Sequence, residues 1–377
     1  MVKNILITGG AGFIGSNLAL RLLSYGYNIT VLDNLSEQIH GSDPNKSFLY
    51  NSIKDKVNFV LGDVCNENDW IKSIENQDII IHLAAETGTG QSMYEVEKYV
   101  NVNVRSNAIL LDCLSNKKNK IQKIIVASSR AVYGEGKYSC SEHGVVFPIQ
   151  RSDYNLRKGD FNPKCPICDN NVTPMPTDEK SPLNPVSIYG ITKQNQEQLI
   201  SLGCKSLGIS SIIYRYQNVY GPGQSLSNPY TGILSVFSTR ILNNNQIEIF
   251  EDGLESRDFV YIDDVVDATI LGLKITDKIN TVFNIGSGKR TSVLNVANTL
   301  EKHYKLDPSI NISGRYRIGD IRHNFADISK ITKIGFSPKV SFTKGLEKFS
   351  NWVKKQKVCK DYFDLSIKEM QSKGIIK

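Results

Sequence analysis

Asn4-Ile-Leu-Ile-Thr-Gly-Gly-Ala-Gly-Phe-Ile-Gly15 sets Gly9, Gly12 and Gly15 between a short apolar run and the start of a helical pattern. The apolar run reads as a strand buried on both faces. Glycines at this spacing let the backbone turn tightly, let a pyrophosphate approach the helix N-terminus, and let helix and strand pack closely. Three glycines alone would fit a plain structural turn equally well. Their place between strand and helix predicts the opening unit of a dinucleotide-binding fold.

The pattern repeats outward from there. Ile29 to Asp33, Val57 to Gly62, Ile79 to Ala84 and Ile124 to Ser128 are apolar runs separated by helical patterns such as Ile14 to Tyr25 and Val100 to Ser115. Near-continuous Ile, Val and Leu suits parallel strands covered on both faces, so an α/β fold with a Rossmann doubly wound parallel sheet is expected. Asp33 ends the second strand, where a carboxylate accepts the ribose hydroxyls of an adenosine. Asn34-Leu-Ser-Glu37 offers no Arg or Lys for a 2′-phosphate, which favours NAD over NADP. Asp63 reads equally as a strand-end cap or an adenine contact.

Between residues 138 and 181 the periodicity fails and Cys, Pro, Asn, Asp and Gly take over, marking an insertion. A helix at Tyr189 to Leu207 and a strand at Ser211 to Tyr216 follow. Beyond Gly221 the pattern is less regular, with helices near Ile233 to Leu242, Val265 to Leu273 and Val293 to His303, and an amphipathic or frayed helical tail. Residues 1–220 are therefore expected to form the cofactor domain, and 221–377 mainly a smaller C-terminal substrate domain with some segments returning to the first.

The chain's 377 residues, 40% hydrophobic and 22% charged, exclude long disorder. Net charge is +7, with lysines bunched at Lys117 to Lys123 and Lys354 to Lys360. No aromatic residues interleave with them, so they read as solvated faces and neither nucleic acid nor membrane is expected as a partner. No apolar stretch approaches the roughly 18 to 20 residues that span a bilayer. The N-terminal Met1 to Thr8 reads as a strand and not a leader, which points to the cytoplasm. Of seven cysteines, Cys65, Cys113, Cys204 and Cys359 stand alone and read as reduced thiols.

Tyr-x-x-x-Lys occurs five times, beginning at Tyr50, Tyr94, Tyr133, Tyr154 and Tyr189. On a helix this spacing sets phenol and ammonium one turn apart on one face, where the phenol can serve as a base. Only Tyr189 opens a long helix; Tyr133 is followed by helix-breaking Gly134-Glu-Gly136, and the others lack a strand end to face a nicotinamide. Ser128 and Ser129 end a strand at the carboxyl edge, where open α/β sheets place their sites.

Thr8 to Gly15, His82-Leu-Ala-Ala85, Ser128-Ser-Arg-Ala-Val-Tyr-Gly134, Tyr189 to Lys193, Arg215 to Pro222 and Arg257-Asp-Phe-Val260 together resemble the extended short-chain dehydrogenases/reductases, in the nucleotide-sugar epimerase and dehydratase group. The motifs run in the family's order from residue 8 to about 327. The resemblance implies a catalytic set of Ser129, Tyr189 and Lys193. It implies NAD contacts from Gly9, Gly12, Phe13, Ile14, Gly15, Asp33, Asn34, Asp63, Val64, Leu83, Ala84, Ala85 and Asn103, besides Tyr189 and Lys193. Ser129, Arg130, Asn218, Arg257 and Arg322 are the implied contacts to a nucleotide-diphosphate sugar; a guanidinium binds phosphate bidentately, although Arg322 also fits a surface ion pair. A homodimer through two helices of the cofactor domain is implied as well.

The implied reaction is reversible oxidation at the sugar carbon, with Tyr189 as the proton acceptor. Bringing a phenol from about 10 to about 7 takes roughly 4 kcal/mol of preference for the anion, with Lys193 and the nicotinamide charge as sources. A dehydratase also needs an acid and a base, which that branch carries as Asp-Glu directly after its catalytic hydroxyl residue. Here Arg130-Ala131 stands instead, favouring epimerisation. The competing readings are a dehydratase or net dehydrogenase on the same fold, and a non-catalytic cofactor-binding regulator.

Cys140-Ser-Glu-His143 and Cys165-Pro-Ile-Cys168 form two short chelating turns. Three thiolates and one imidazole satisfy a tetrahedral structural zinc, while free thiols or a redox pair at Cys165 and Cys168 are the alternatives. Together with Gln224-Ser-Leu-Ser-Asn-Pro-Tyr230 and Phe250-Glu-Asp-Gly253, the insertion resembles family members that convert dTDP-L-rhamnose to dTDP-6-deoxy-L-talose; other members act on UDP-glucose and related UDP-sugars. Gln217 departs from the aromatic residue usual in the group.

Overall fold

The computed structural model describes residues 3–230, 232–276, 279–306, 309–357 and 360–377, so Met1, Val2 and Cys359 lie outside the described residues. Seven strands form one parallel sheet in the order Asn280–Ile285, Ser210–Tyr216, Lys123–Ser129, Ile79–His82, Asn4–Thr8, Asn28–Asp33, Asn58–Leu61. Ile5, Leu6 and Ile7 are fully buried because helices cover both faces of the sheet. The chain starts at Asn4–Thr8, winds outward to Asn58–Leu61, then crosses back to Ile79–His82. That reversal opens a crevice at the carboxyl ends of the strands. Register brings Thr8 opposite His82 and Ser129 opposite Tyr216, so the predicted site residues gather at one edge.

Asn280–Ile285, the outermost strand beside Ser210–Tyr216, has no counterpart in the sequence reading, although that reading expected returning segments. The expected helix Val100 to Ser115 is broken into Val96–Val100, a π-helical turn Asn101–Arg105 and Ser106–Asn116. Smaller sheets fill the C-terminal half: Asn218–Tyr220, Ser256–Tyr261, Arg290–Ser292 and His323–Asn324 form one, and Ile247–Ile249 pairs with Ile310–Ile312. The tail is an ordered helix, Phe363–Ser372, whose Phe363, Ile367 and Met370 pack against Met93, Tyr94, Tyr230 and Phe250.

The insertion forms its own antiparallel sheet, Gly144–Val146, Tyr138–Cys140 and Thr173–Pro174, with a helix Asp153–Arg157. One lysine departs from the solvated-face reading. Lys123 is buried, and its ammonium donates to the carbonyls of Gly272, Leu273 and Ile275 at the end of helix Ile262–Lys274. A cation there complements the helix C-terminus, although burial presses it down to about 8. Cys65, Cys113 and Cys204 carry free thiols. Among the described residues no helix is long and apolar enough to cross a membrane.

Candidate active site

Gly9 sits at φ +65°, and a Cβ there would come within 2.7 Å of the Ala84 backbone nitrogen. The glycine thus lets the first turn touch the end of the neighbouring strand. Asp33 closes the turn: its carboxylate accepts the Ala11 N–H at 2.9 Å and the Leu35 N–H at 2.9 Å. Burial raises the Asp33 carboxyl, those N–H groups pull it back, and His40 at 3.9 Å adds a weaker pull. Asn34 donates to Asp63 Oδ2 at 3.1 Å, and the Cys65 N–H caps Asp63 Oδ1 at 2.7 Å. Asp63 is therefore a turn cap that also faces the cleft. Gly9, Gly12, Phe13, Ile14, Gly15, Asp33, Asn34, Asp63, Val64, Leu83, Ala84 and Ala85 all line one continuous cleft with Ser129, Arg130, Tyr189, Lys193 and Asn218.

Asn103 departs from this set, being fully buried behind the wall. Its amide accepts the Glu86 N–H at 2.9 Å and donates to the Glu86 carbonyl at 3.0 Å and Thr192 Oγ1 at 3.1 Å. It therefore ties the cleft-lining Glu86 to the helix Ile188–Leu207.

That helix starts where Ser187 caps the Gly190 N–H at 3.1 Å. A Cβ on Gly190 would lie 2.6 Å from the Ala131 carbonyl, so glycine here lets the helix press against the turn after Ser129. Ser129 thereby comes up beside the Tyr189 phenol, and its hydroxyl favours the phenol's anion. Lys193 lies one turn on and donates to the Ala127 carbonyl and Gln196 Oε1, both at 2.8 Å. Burial presses Lys193 down to about 7, with Glu197 pulling upward. The Tyr189 phenol departs from the expected lowering: burial raises it, against the Ser129 hydrogen bond and the Arg130 charge. Desolvation of the anion outweighs the help these residues give, and the positive ring of an NAD held in this crevice would add charge that favours the anion.

The four other Tyr-x-x-x-Lys tyrosines are engaged elsewhere. Tyr154 is exposed with Lys158 over its ring at 4.0 Å. Tyr50 packs edge-on to Phe59, Tyr94 hydrogen-bonds Tyr230, and Tyr133 receives the Arg215 guanidinium at 2.8 Å.

The cleft continues into the C-terminal half past Arg130, Asn218 and Arg257. Arg130 donates to Asn218 Oδ1 at 2.8 Å, and burial together with the like charge of Arg257 presses it below its ordinary value. Two guanidiniums held near each other at a cleft wall create a site for an anion. Arg322 is not part of it. Its buried guanidinium donates to Asp252 at 2.7 Å and to Glu251 at 2.9 Å. Arg317 lines the cleft instead, stacked over Phe250 with its Nε unpartnered. The alternating Arg315-Tyr-Arg317, just before the glycine turn, was the signal for it. Gln217 also lines the cleft, and neither amide atom has a partner.

In the insertion, Cys140, His143, Cys165 and Cys168 come together with all four ligand atoms within 4.8 Å of one another.

A dinucleotide crevice continuous with a Tyr, Lys and Ser edge defines an NAD-dependent enzyme of the extended short-chain dehydrogenase/reductase type. The chain belongs to the NAD dependent epimerase/dehydratase family, whose sequence model matches residues 5–159 and 168–286. It is 37% identical over 354 residues to a dTDP-L-rhamnose 4-epimerase of Burkholderia thailandensis, covering 93% of this chain and 95% of that one. Among solved structures it is similar to a UDP-glucose 4-epimerase of Thermotoga maritima with UDP-glucose (29% identity, TM-score 0.74, covering 93% and 99%). It is also similar to a UDP-glucuronic acid 4-epimerase of Bacillus cereus with UDP-glucuronic acid and NAD (28% identity, TM-score 0.74, covering 93% and 99%).

Proposed function

We propose that this chain is a nucleotide-sugar 4-epimerase, with dTDP-L-rhamnose as substrate and dTDP-6-deoxy-L-talose as product. The observation that carries the reaction type is the Ser129 hydroxyl beside the Tyr189 phenol, with Arg130-Ala131 and no carboxylate pair in the adjoining turn. The match to the Burkholderia enzyme over almost the whole chain supports the sugar. Residues 1–220 hold the cofactor and 221–377 mainly the sugar nucleotide.

The glycine turn, Asp33 and the Leu83 to Ala85 edge would hold NAD, which would supply a reversible hydride acceptor for C4. Tyr189 takes the C4 hydroxyl proton and gives it back after the keto sugar turns over. Ser129 hydrogen-bonds the reacting oxygen and, with the Arg130 charge, favours the phenol's anion, while Lys193 is held one helical turn on by Ala127 and Gln196. Arg130 and Arg257, with Arg317 on the facing wall, hold the diphosphate, and the unpaired amide of Gln217 offers a partner to a sugar hydroxyl. Because hydride returns, no external oxidant is consumed. The test is to supply dTDP-L-rhamnose, UDP-glucose and GDP-sugars separately, without added NAD, and follow C4 by NMR. A C4 epimer of dTDP-L-rhamnose is expected; a UDP-sugar epimer alone corrects the substrate, and a product lighter by one water sinks the epimerase reading.

Glu255 gives this site a pH signature. Burial pushes its carboxyl up to about 7, Arg257 pulls down and Glu251 pushes further up, and the residue lines the diphosphate end of the cleft. The raised value keeps it neutral below pH 7, and its negative charge appears as pH rises through that point. Affinity for dTDP-L-rhamnose, whose diphosphate does not titrate in this range, should fall roughly three- to tenfold from pH 6 to 8. Calorimetry on Glu255→Gln should give a shallower profile, with what remains coming from Lys193, also near 7; a variant profile identical to the parent's would remove Glu255 from the site.

The helices Ser106–Asn116 and Ile188–Leu207 lie side by side, and Val100, Ile191 and Leu202 nearby are exposed. A homodimer through this face is part of the reading. Light scattering at the 42.1 kDa monomer mass would rule it out.

A further inference from the structure

Cys140 Sγ lies 3.6 Å from His143 Nδ1 and 3.7 Å from Cys168 Sγ, and Cys165 Sγ lies 3.7 Å from His143 Nδ1. With Zn–S near 2.3 Å and Zn–N near 2.0 Å, the edges of a ZnS3N tetrahedron are roughly 3.5 to 3.8 Å. Three of the six edges therefore already match a tetrahedron, and all four ligand atoms lie within 4.8 Å of one another. Each chelating pair spans a tight turn, with the Cys165 carbonyl accepting the Asp169 N–H at 3.0 Å. The family's sequence model skips residues 160–167, which include Cys165, so that model has no counterpart to the full set of four ligands.

What the insertion holds is as informative as what it binds. From the same hairpin, the buried Tyr138 reaches Glu135, and Glu135 accepts the Arg322 N–H at 2.8 Å. Arg151, nearly buried between the two ligand pairs, contacts Glu135 at 3.1 Å and Glu251 at 2.8 Å. It also donates to the Asp320 carbonyl at 2.9 Å and the Phe161 carbonyl at 3.0 Å. Asp153 accepts the Tyr316 hydroxyl at 2.6 Å, and Phe161 packs on Tyr316. The segment 316–322 is thus gripped at both ends by the insertion, and it carries Arg317, Asp320 and Ile321 of the cleft wall.

We propose that Cys140, His143, Cys165 and Cys168 bind one structural zinc ion, and that the clamped insertion, through Arg151, holds the segment 316–322 as the diphosphate-facing wall of the cleft. Arg151 is a positioning residue. Zinc loss should weaken the nucleotide diphosphate and leave NAD affinity unchanged, because the insertion's bonds through Arg151 and Asp153 run to Glu135, Glu251 and the segment 316–322.

The purified full chain should contain about one zinc. Cobalt replacement should give the visible bands of a tetrahedral thiolate-rich site, a readout that does not depend on catalysis. Zinc removal by a chelator, and separately Arg151→Met with its zinc retained, should each weaken dTDP binding in calorimetry by roughly ten- to a hundredfold. NAD affinity should stay within about twofold, and re-adding zinc should restore dTDP binding to the stripped protein. Less than about a tenth of an equivalent of metal, or a Cys165–Cys168 disulfide by mass, overturns the zinc. Unchanged dTDP affinity after zinc removal and in Arg151→Met overturns the positioning role. The inference shares with the proposed function only that a nucleoside diphosphate binds here: failure of every sugar nucleotide to turn over would sink that function and leave the metal and dTDP measurements readable.

Discussion

Replacing Tyr189 with Phe should lower the turnover of dTDP-L-rhamnose by about 10³-fold, some 4 kcal/mol of barrier, with bound NAD and the melting temperature unchanged. The ring would stay where it is, edge-on to Tyr99 at 6.4 Å, and the Tyr189 N–H would keep its bond to Ser92 Oγ at 3.0 Å. Only the phenol oxygen leaves, and with it the group facing Ser129. A loss of less than about tenfold would mean that another group moves the proton. If the variant matches the parent in every biological assay, the protein is a cofactor-binding regulator and not an enzyme.

A comparably large effect, on stability, is expected from a pair buried behind the catalytic residues. Arg215, buried on the strand Ser210–Tyr216, second from the sheet edge, makes a forked pair with Glu197, at 2.9 Å from Nε and 2.7 Å from Nη2. Its third nitrogen reaches the Tyr133 hydroxyl, which in turn donates to Asn284 Oδ1 at 2.7 Å, and Ser128 donates to Glu197 from the other side. Arg215→Leu strands Glu197 as an unpaired buried carboxylate, so a loss of about 3–5 kcal/mol in urea unfolding is expected. Adding Glu197→Leu should recover most of it, because a charge pair replaced as a whole costs far less than one broken. A single-variant loss below about 1 kcal/mol would show that water reaches the pair.

The parallel strands were legible because burial on both faces writes them as unbroken apolar runs, as in Ile79–His82. Asn280–Ile285 escaped notice for the converse reason: as an edge strand it carries Asn280, Thr281 and Asn284, and only its last three residues are buried. The continuous helix expected over Val100 to Ser115 followed from apolar spacing. Asn103 bonding the backbone of Glu86 is a long-range contact that no periodicity records, and it falls within the π-helical turn.

Most of the cleft was readable, since glycines, a strand-end carboxylate and a helix-opening tyrosine each have a local signature. The arginines were not. Whether Arg322 or Arg317 faces the cleft depends on which finds acids first, and the partners Glu251 and Asp252 lie about 70 residues upstream in the chain. The four metal-ligand candidates were visible as two chelating turns, while the distance between the turns is a property of the folded insertion alone. The depth of the Tyr189 phenol was beyond sequence too, because helix spacing fixes its neighbours but not how much water the finished cleft expels.

The strand Asn280–Ile285 also sets how this protein can be divided. Its pairing with Ser210–Tyr216 supplies the last row of backbone hydrogen bonds to the cofactor sheet, and it arrives only after the chain has built part of the other half. A fragment ending at residue 220 would present Ser210–Tyr216 as a long, apolar, unpaired edge, the kind that recruits strands from other molecules. During synthesis the same edge stays open until residue 285 emerges, which makes the interval between those two strands the stretch in which a chaperone has most to protect.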